Sequence, residues 1–573
     1  MSEIDQSKSP STRISSWVLL LAVAWFLLFS CSLARQTPRG DETEFWQCAV
    51  SVLKTGLPTC YASPDAPVRP GLWHPPTYIY SMAASLATFG IGFVQARLPG
   101  ILAVLLTAWA LMTFARDAGS NSALDARQSR LLGAIFLLCP LTCHYATLLD
   151  IDGTMLTCVT TATLLLLARV HIQSAGRLGC LLGCALAICF LVKTTTSLLL
   201  LPAIAISVWR QRGYRDSVIC TGLAAVVGMA GLFCGMAAFS AATGMSPEMP
   251  ISHNVGSLQG SQSDVKGVGG LSGLPYKLVY KVWMAKNAVL WLSPFLLLLA
   301  VPASLEIVRR GTGSEFAAVF FCWGTLLGYS FIQVTSYGFP KYAAPALPWL
   351  VWLAFRTVLW TIDGCRRASR PDLALGVAVS LTAAFAVSFG DPFLVVLKDS
   401  RSAMWDVVRG LAMHYALPCA AGALFVLVCS RFSRLAAPYW VLLFLIAAWA
   451  GTSVSLLAHQ AGADYYTSYR YGDVGLEEVA ARARPLLRPG DVPLVPRDVG
   501  LWLGHDYWPA TPMVYAQRGT ALLGDPRTTV LVYRPGELDD PARVPEFAPL
   551  LQKYFQTPTR IGTLMLVGRK PRP

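Results

Sequence analysis

The stretch SSWVLLLAVAWFLLFSCSLARQTPRGDETEFWQ, residues 15–47, joins a long apolar run to two adjacent carboxylates, Asp41 and Glu42. The apolar run Trp17–Ser30 has no small-residue cleavage site after it and is followed by many similar runs, which favours a retained transmembrane helix over a removed signal peptide. An acidic pair is costly to hold beside the hydrocarbon boundary, so it usually has a function there. The stretch therefore predicts a membrane protein with a polar site next to its first helix.

Composition extends this prediction to most of the chain. Of the 573 residues, 54% are hydrophobic and only 14% are charged. Apolar runs long enough to span a bilayer recur along the sequence, and we count about 13 of them. They cover residues 17–34, 98–115, 131–149, 154–168, 178–192, 195–209, 217–242, 287–307, 315–334, 342–360, 372–390, 411–430 and 436–458.

The basic residues orient these spans. Connectors assigned to the cytoplasm carry 17 Lys and Arg residues, whereas the short connectors on the other side carry five. By the positive-inside rule, this bias places the N-terminus inside and the C-terminus outside. It also divides residues 178–209 into two short passes that meet at Lys193, and it keeps residues 75–95 at the outer surface as amphipathic or re-entrant helices.

Charge and cysteine content exclude two other classes of protein. The net charge of +14 resides mainly in connectors that meet lipid headgroups, and no stripe of basic and aromatic residues indicates a nucleic-acid groove. The sequence has 15 cysteines but no CxxC motif, so zinc ligation is unsupported. Only Cys48 and Cys60 share a polar extracytoplasmic segment, which leaves a disulfide between them and two free thiols as alternatives.

The tail differs in composition from the rest. We predict a transmembrane catalytic domain over residues 1–458, with outer loops at 36–96 and 244–286, and a small extracytoplasmic α/β domain over 459–573. The tail opens on the helical pattern DVGLEEVAARARPLLRPGD, and further helices are expected near 499–504 and 544–555. Predicted strands are VPLVP, PMVYA, TTVLVYR and TLMLVG. The expected role of this domain is to shape or cap the outer cavity.

Several ionisable residues fall on the outer side in this topology. They are Asp41, Glu42, His74, Arg97, Asp150, Asp152, Lys193, His253 and Lys341. Single residues have plainer explanations, since Asp41 could cap a helix over Glu44–Leu53, Arg97 could snorkel, and an Asp-Gly turn accounts for one of the two later aspartates. These explanations do not account for an acidic pair and several cations on the same side of the membrane.

This combination suits one reaction class. A sugar esterified to a lipid phosphate could be held there by the cations, which would also stabilise the departing phosphate, while a carboxylate removes a proton from the attacking hydroxyl or amine. Such a donor arrives from the bilayer, so the chain needs no nucleotide-binding loop, and it has none.

The ordered set of motifs resembles the GT-C polytopic glycosyltransferases, the superfamily that holds the protein O-mannosyltransferases and the lipid A aminoarabinose transferases. The resemblance extends over residues 17–360. It rests on Asp41-Glu42 after the first helix, HPPTY at 74–78, ARLPGILAVLLT at 96–107, LLDIDG at 148–153 and KYAAPALP at 341–348.

The resemblance implies roles for single positions. Asp41 matches the catalytic base of the superfamily, and Glu42 is its neighbour in the acidic pair. His74 stands in the element beside the lipid-phosphate site, and Lys193 matches a lysine at the apex between two short helices. The remaining matches are Arg97 opening a helix, Asp150 after the third span, and the basic residue Lys341 followed by Tyr342.

Three features of this sequence differ from those of the transferases that it resembles. The chain lacks the lumenal β-trefoil insertion of the mannosyltransferases, and it has His74-Pro75 where the aminoarabinose enzymes usually have Lys-Pro. LLDIDG contains two aspartates where one is typical, so either Asp150 or Asp152 could face the cavity. Donor sugar and acceptor therefore stay open.

The sequence thus predicts an integral protein of the bacterial plasma (inner) membrane that moves a sugar from a polyprenyl-phosphate carrier to a lipid, glycan or protein acceptor on the extracytoplasmic face. A single attack by the acceptor implies inversion, with Asp41 as general base.

The alternative is a transporter or flippase of lipid-linked saccharides, which predicts ionisable residues near the bilayer midplane and paired repeats. A divalent cation bridging carboxylates such as Asp41 and Asp152 is left open, although no dedicated loop of oxygen ligands is present.

Overall fold

A computed structural model gives the three-dimensional structure of the chain. It describes residues 10–33, 41–60, 69–70, 75–117, 123–169, 174–244, 292–332, 341–365, 431, 437–460, 476–503, 506–536 and 540–571. The chain divides into two compact units. The helical unit comprises residues 1–35, 73–81 and 97–462, and the sheet-containing unit comprises residues 36–72, 82–96 and 463–573.

Helices dominate the described chain up to residue 460. They are α1 Pro10–Leu33, α2 Asp41–Thr55, α3 Thr77–Phe89, α4 Phe93–Asp117, α5 Ala126–Leu138, α6 Pro140–Thr147, α7 Thr157–Arg169, α8 Ala175–Val192, α9 Thr194–Ser197, α10 Leu200–Arg212, α11 Tyr214–Thr243, α12 Pro294–Arg310, α13 Gly313–Ile332, α14 Leu347–Cys365 and α15 Ala437–Gln460. A π-helical turn, Asp152–Leu156, precedes α7, and a 3₁₀ turn, Lys341–Ala346, precedes α14.

Five helices among the described residues are long and apolar enough to cross a membrane, and a sixth span arises if α5 and α6, which are bent by 59°, count as one. The count of about 13 therefore stays a prediction, and the spans predicted at 372–390 and 411–430 lie outside the described residues. The bend falls at Pro140, which begins α6 and cannot donate a hydrogen bond to the preceding turn.

The break predicted at Lys193 is confirmed. Helix α8 ends at Val192, and Lys193 has an extended backbone with φ −160° before α9 begins. The stretch predicted to lie at the outer surface forms α3, whose 13 residues span about 20 Å, less than the roughly 30 Å hydrocarbon core. Helix α4 then begins at Phe93, five residues before the predicted start of that span.

Close helix packing forms the interior of the helical unit. Helices α8 and α11 approach closely because Gly179 leaves space, and a Cβ at that position would lie 2.7 Å from the carbonyl oxygen of Cys220. The aromatic core lies where the ring of Phe114 meets Trp349 and Trp352 edge-on, at centroid distances of 4.8 and 5.5 Å.

Among the described residues, strands β1 Thr59–Cys60 and β2 Arg69–Pro70 pair antiparallel, and the C-terminal residues build a five-stranded sheet in the order β4-β3-β5-β7-β6. The elements of this region are α16 Leu476–Ala483, β3 Leu494–Val495, α17 Arg497–Leu503, β4 Trp508–Pro509, α18 Pro512–Gly524, β5 Val530–Tyr533, α19 Ala548–Tyr554, β6 Thr559–Ile561 and β7 Leu564–Gly568. Strands β4, β3 and β5 run parallel, with Leu494 opposite Leu531, whereas β7 is antiparallel to both of its neighbours.

Alternation along the central strand covers both faces of this sheet. Val530 and Val532 pack in a cluster with residues of α16 and α17, and Leu531 and Tyr533 pack in a second cluster with residues of α18. Both clusters are buried, which gives an α/β arrangement with helices on each face. The same compact unit contains residues 36–72 and 82–96, which were predicted to belong to the transmembrane domain.

One predicted strand is wrong. PMVYA, residues 512–516, forms the first turns of α18. The Thr511 hydroxyl caps this helix by accepting a hydrogen bond from the Val514 amide at 3.3 Å, and Pro512 follows at the first helical position. A threonine cap followed by proline is a helix-start signal, and it outweighs the β-branched and aromatic residues of PMVYA.

Candidate functional site

Five of the predicted site residues come together in the helical unit. They are Asp150, Asp152, Lys193, Lys341 and Tyr342, and we call them the paired-charge cluster. Three separate connectors of the chain supply them: the link between α6 and α7, the break after α8 and the 3₁₀ turn before α14. His74 and His253 lie outside the described residues, as does the side chain of Asp41.

Lys193 and Asp152 form a fully buried ion pair. The Lys193 ammonium donates to both carboxylate oxygens of Asp152, at 2.8 and 2.7 Å, and each side chain is only 3% exposed. Charges so deeply buried are stable only when paired, because desolvation of each is expensive. The extended backbone of Lys193 between two helices allows this side chain to reach the α6–α7 link.

A second pair lies beside the first and is more accessible. The Lys341 ammonium is 3.1 Å from a carboxylate oxygen of Asp150, and these side chains are 12% and 11% exposed. The ring of Tyr342 joins both pairs, because the ammonium of Lys193 lies 4.3 Å and that of Lys341 5.5 Å from its centroid. An aromatic face stabilises a cation at such distances. The structure thus brings both aspartates of LLDIDG into one cluster, each with its own lysine.

Local hydrogen bonds fix the two aspartates. A carboxylate oxygen of Asp150 accepts from the backbone amide of Asp152 at 2.9 Å, and the hydroxyl of Thr157 donates to the carbonyl of Asp152 at 2.6 Å. The π turn brings Gly153 against the ring of Tyr145, where a Cβ would lie 2.7 Å from the Tyr145 Cβ. Thr157 and Tyr145 are not among the site residues predicted from the sequence, and only the glycine hints at this close approach.

Arg97 lies in the interior of the helical unit and does not snorkel. It is 2% exposed, and its Nε donates to the carbonyl oxygen of Thr147 at the end of α6. A cation at a helix C-terminus meets the negative end of the helix dipole. Its position in the second turn of α4 therefore supports the link that carries Asp150 and Asp152.

Thr77 of the HPPTY motif attaches the start of α3 to this region. The Thr77 hydroxyl, three residues after His74, donates to the carbonyl of Leu191 at 2.7 Å. Leu191 is two residues before Lys193, so the start of α3 is held beside the break that carries the lysine.

The acidic pair lies in the sheet-containing unit. Helix α2 begins at Asp41, so both acidic residues belong to its first turn, three residues before the predicted start at Glu44. Negative side chains are favourable at a helix N-terminus because they meet the positive end of the dipole. Glu42 is 9% exposed and participates in polar interactions. Cys48, two turns further along, is disulfide-bonded, and β1, which carries Cys60, packs against α2.

Within the described ranges, no group of three or more His, Cys, Asp or Glu side chains is arranged to hold a metal ion. In the paired-charge cluster, two ammonium groups balance two carboxylates, and the Lys341 pair is the more open to solvent. An anionic ligand such as a phosphate could replace a carboxylate partner of Lys341, because ammonium groups bind phosphate oxygens in the same way.

Comparison with known proteins agrees with these features. The model of the dolichyl-phosphate-mannose-protein mannosyltransferase family matches residues 73–236, a segment that includes Arg97, Asp150, Asp152 and Lys193. A comparison with curated proteins finds no significant match.

Solved structures match nearly the whole chain. The crystal structure of ArnT from Cupriavidus metallidurans in the apo state is 17% identical, has a TM-score of 0.56, and aligns over 97% of this chain and 98% of its own. ArnT from the same organism bound to undecaprenyl phosphate is also 17% identical, with a TM-score of 0.57 over 96% of this chain and 98% of its own. The protein therefore shares the fold of these ArnT structures, and residues 73–236 resemble the mannosyltransferase family.

Proposed function

We propose that the protein is a membrane glycosyltransferase that moves a sugar from a polyprenyl-phosphate-linked donor to a lipid, glycan or protein acceptor on the extracytoplasmic face. The observation that carries the proposal is the paired-charge cluster, in which Lys193 and Lys341 meet over the ring of Tyr342. Further support comes from the fold, which is shared with an ArnT structure bound to undecaprenyl phosphate.

The two lysines have different roles in this proposal. Lys193 is held by both oxygens of Asp152 and keeps the α6–α7 link in place. Lys341, whose ammonium lies 3.1 Å from Asp150 and whose side chain is 12% exposed, is the group that binds the donor phosphate. The donor is a phosphodiester whose two non-bridging oxygens share one negative charge, as the two oxygens of a carboxylate do, so it can take the place of Asp150 at an ammonium that is partly exposed.

The same cation would stabilise the departing phosphate. In the transfer step the acceptor hydroxyl or amine attacks the anomeric carbon, a new C–O or C–N bond forms, and the bond from that carbon to the phosphate oxygen breaks. The electron pair leaves with the polyprenyl phosphate, whose added negative charge is stabilised by the positioned ammonium. One displacement opposite the leaving group inverts the anomeric configuration.

Asp41 is the proposed general base that accepts the proton of the attacking group. Asp41 is the first residue of α2, and a carboxylate is a side chain that can serve as a general base. Glu42, its buried neighbour, supports the base or contacts the substrate.

The proposal predicts what accumulates when the protein is absent. Lipid extracts from cells that lack it should contain more of one polyprenyl-phosphate sugar than wild-type extracts, because its consumption has stopped. Mass spectrometry of the extracts identifies the sugar directly. Complementation with the wild-type chain should remove the excess, whereas a Lys341→Met variant should not. Unchanged carrier-linked sugars in the deletion strain would contradict the proposed donor class.

A further inference from the structure

Helix α2 is attached to the C-terminal sheet region at two polar contacts. Glu44, one turn from the start of the helix, forms an ion pair with Arg497, which opens α17. One turn further, the side-chain amide of Gln47 donates to the hydroxyl of Tyr507 at 3.3 Å. These residues are more than 450 positions apart in sequence and belong to one compact unit.

Arg497 and Glu44 place opposite charges at the starts of two helices. A cation in the first turn of a helix opposes the dipole, so the position disfavours arginine unless a nearby anion compensates. Glu44 provides that anion. Its own position in the first turn of α2 is favourable, so the pair joins two helix N-termini through opposite charges.

Apolar packing around Tyr507 and around α2 supports these two polar contacts. Tyr507 is 3% exposed and belongs to a hydrophobic cluster with residues of α16 and α17. Gly500 makes room for its ring, since a Cβ there would lie 2.5 Å from the ring atoms. On α2, Trp46 is 9% exposed and contacts the ring of Phe93 at a centroid distance of 5.0 Å. The hydroxyl of Tyr507 is therefore presented from a fixed position.

We infer that Arg497 and Tyr507 are positioning residues that hold the first turns of α2, and with them the acidic pair Asp41-Glu42, in the orientation required for transfer. The inference rests on the proposed function and extends it, because it gives the C-terminal α/β region a role in positioning the acidic pair. Arg497 and Glu44 are 43% and 22% exposed, so their pair contributes little to global stability. The ion pair instead fixes the position of the N-terminus of α2.

The first test compares transfer kinetics of purified full-length variants on a labelled polyprenyl-phosphate sugar. Arg497→Ala should lower kcat by about tenfold with KM for the donor unchanged, because a displacement well under 1 Å can cost that much in rate. The charge-exchanged variant Glu44→Lys/Arg497→Glu should recover kcat to within about threefold of wild type. A wild-type kcat for Arg497→Ala, or a loss that the exchanged pair does not reverse, would overturn the inference.

A matched control lies in the same region. Arg482 forms an ion pair with Glu478 within α16 at 2.5 Å, and both side chains are 55% exposed. Arg482→Ala removes one cation from the same region without touching α2, and it should leave kcat and KM unchanged. A loss equal to that of Arg497→Ala would assign the effect to charge alone and overturn the positioning role.

A second measurement does not depend on catalysis. Amide hydrogen exchange of residues 41–47 should be faster in Arg497→Ala/Tyr507→Phe than in wild type, while exchange in α18 stays the same, because only the helix start is released. Unchanged exchange at 41–47 would overturn the inference whatever the activity. If exchange rises as expected but the wild-type protein transfers no sugar, the proposed function fails and the attachment stands.

Discussion

Asp41→Asn is expected to lower the turnover of a polyprenyl-phosphate sugar by about 10²–10⁴-fold, the range that positioned general bases contribute. The amide has nearly the same shape as the carboxylate but cannot accept the proton of the attacking group. The affinity for undecaprenyl phosphate should change by less than about twofold, because phosphate binding is proposed for Lys341. Binding by native mass spectrometry and turnover of a radiolabelled donor measure the two quantities separately.

Glu42→Gln is the matched control for this variant. It removes the adjacent carboxylate from the same helical turn, and the expected loss is about tenfold, as for a supporting or substrate-contacting group. If Glu42→Gln abolished turnover and Asp41→Asn retained it, the two roles would be exchanged. Wild-type turnover in both variants would remove the acidic pair from the mechanism.

Lys193→Met has the largest expected effect on stability. The substitution keeps the length of the side chain but leaves the Asp152 carboxylate buried without its ammonium, and breaking a buried pair in this way costs about 3–5 kcal/mol. Unfolding of the purified protein in detergent should therefore occur at a clearly lower temperature or denaturant concentration. Donor turnover should fall as well, because the α6–α7 link loses the contact that fixes it.

Two further variants distinguish the cost of breaking a buried ion pair from the cost of breaking an exposed one. Arg169 and Asp117 form an ion pair of the same length, 2.7 Å, but with side chains 49% and 31% exposed, so Arg169→Met should cost no more than about 1 kcal/mol. Asp152→Asn/Lys193→Met removes both buried charges and should regain most of the stability lost in Lys193→Met. Equal losses for Lys193→Met and Arg169→Met would contradict the account of the buried pair.

The features that could be predicted from the sequence are those set by local pattern. A lysine inside an apolar stretch flanked by basic residues predicted the break at Lys193, because an unpaired charge in the middle of a continuous span would be too costly. The alternation of short apolar runs predicted β3, β5 and β7. The carboxylates at 41 and 42 indicated a helix start, although α2 begins at Asp41 and not at Glu44.

The features that could not be predicted depend on contacts distant in sequence. LLDIDG has two aspartates, and no local pattern says that Asp152 pairs with Lys193 and Asp150 with Lys341, since the choice depends on how three connectors meet. Arg97 was expected at a helix end, yet it is buried against the Thr147 carbonyl because α4 begins before it.

The most direct test of the central claim is the reaction itself. Purified wild-type protein in proteoliposomes should be given a panel of labelled polyprenyl-phosphate sugars and membrane acceptors, with products read by mass spectrometry and anomeric configuration by NMR. We expect one donor to yield free polyprenyl phosphate and a glycosylated acceptor of inverted configuration. Movement of labelled donors across the bilayer without any new glycosidic bond would contradict it and would identify a transporter.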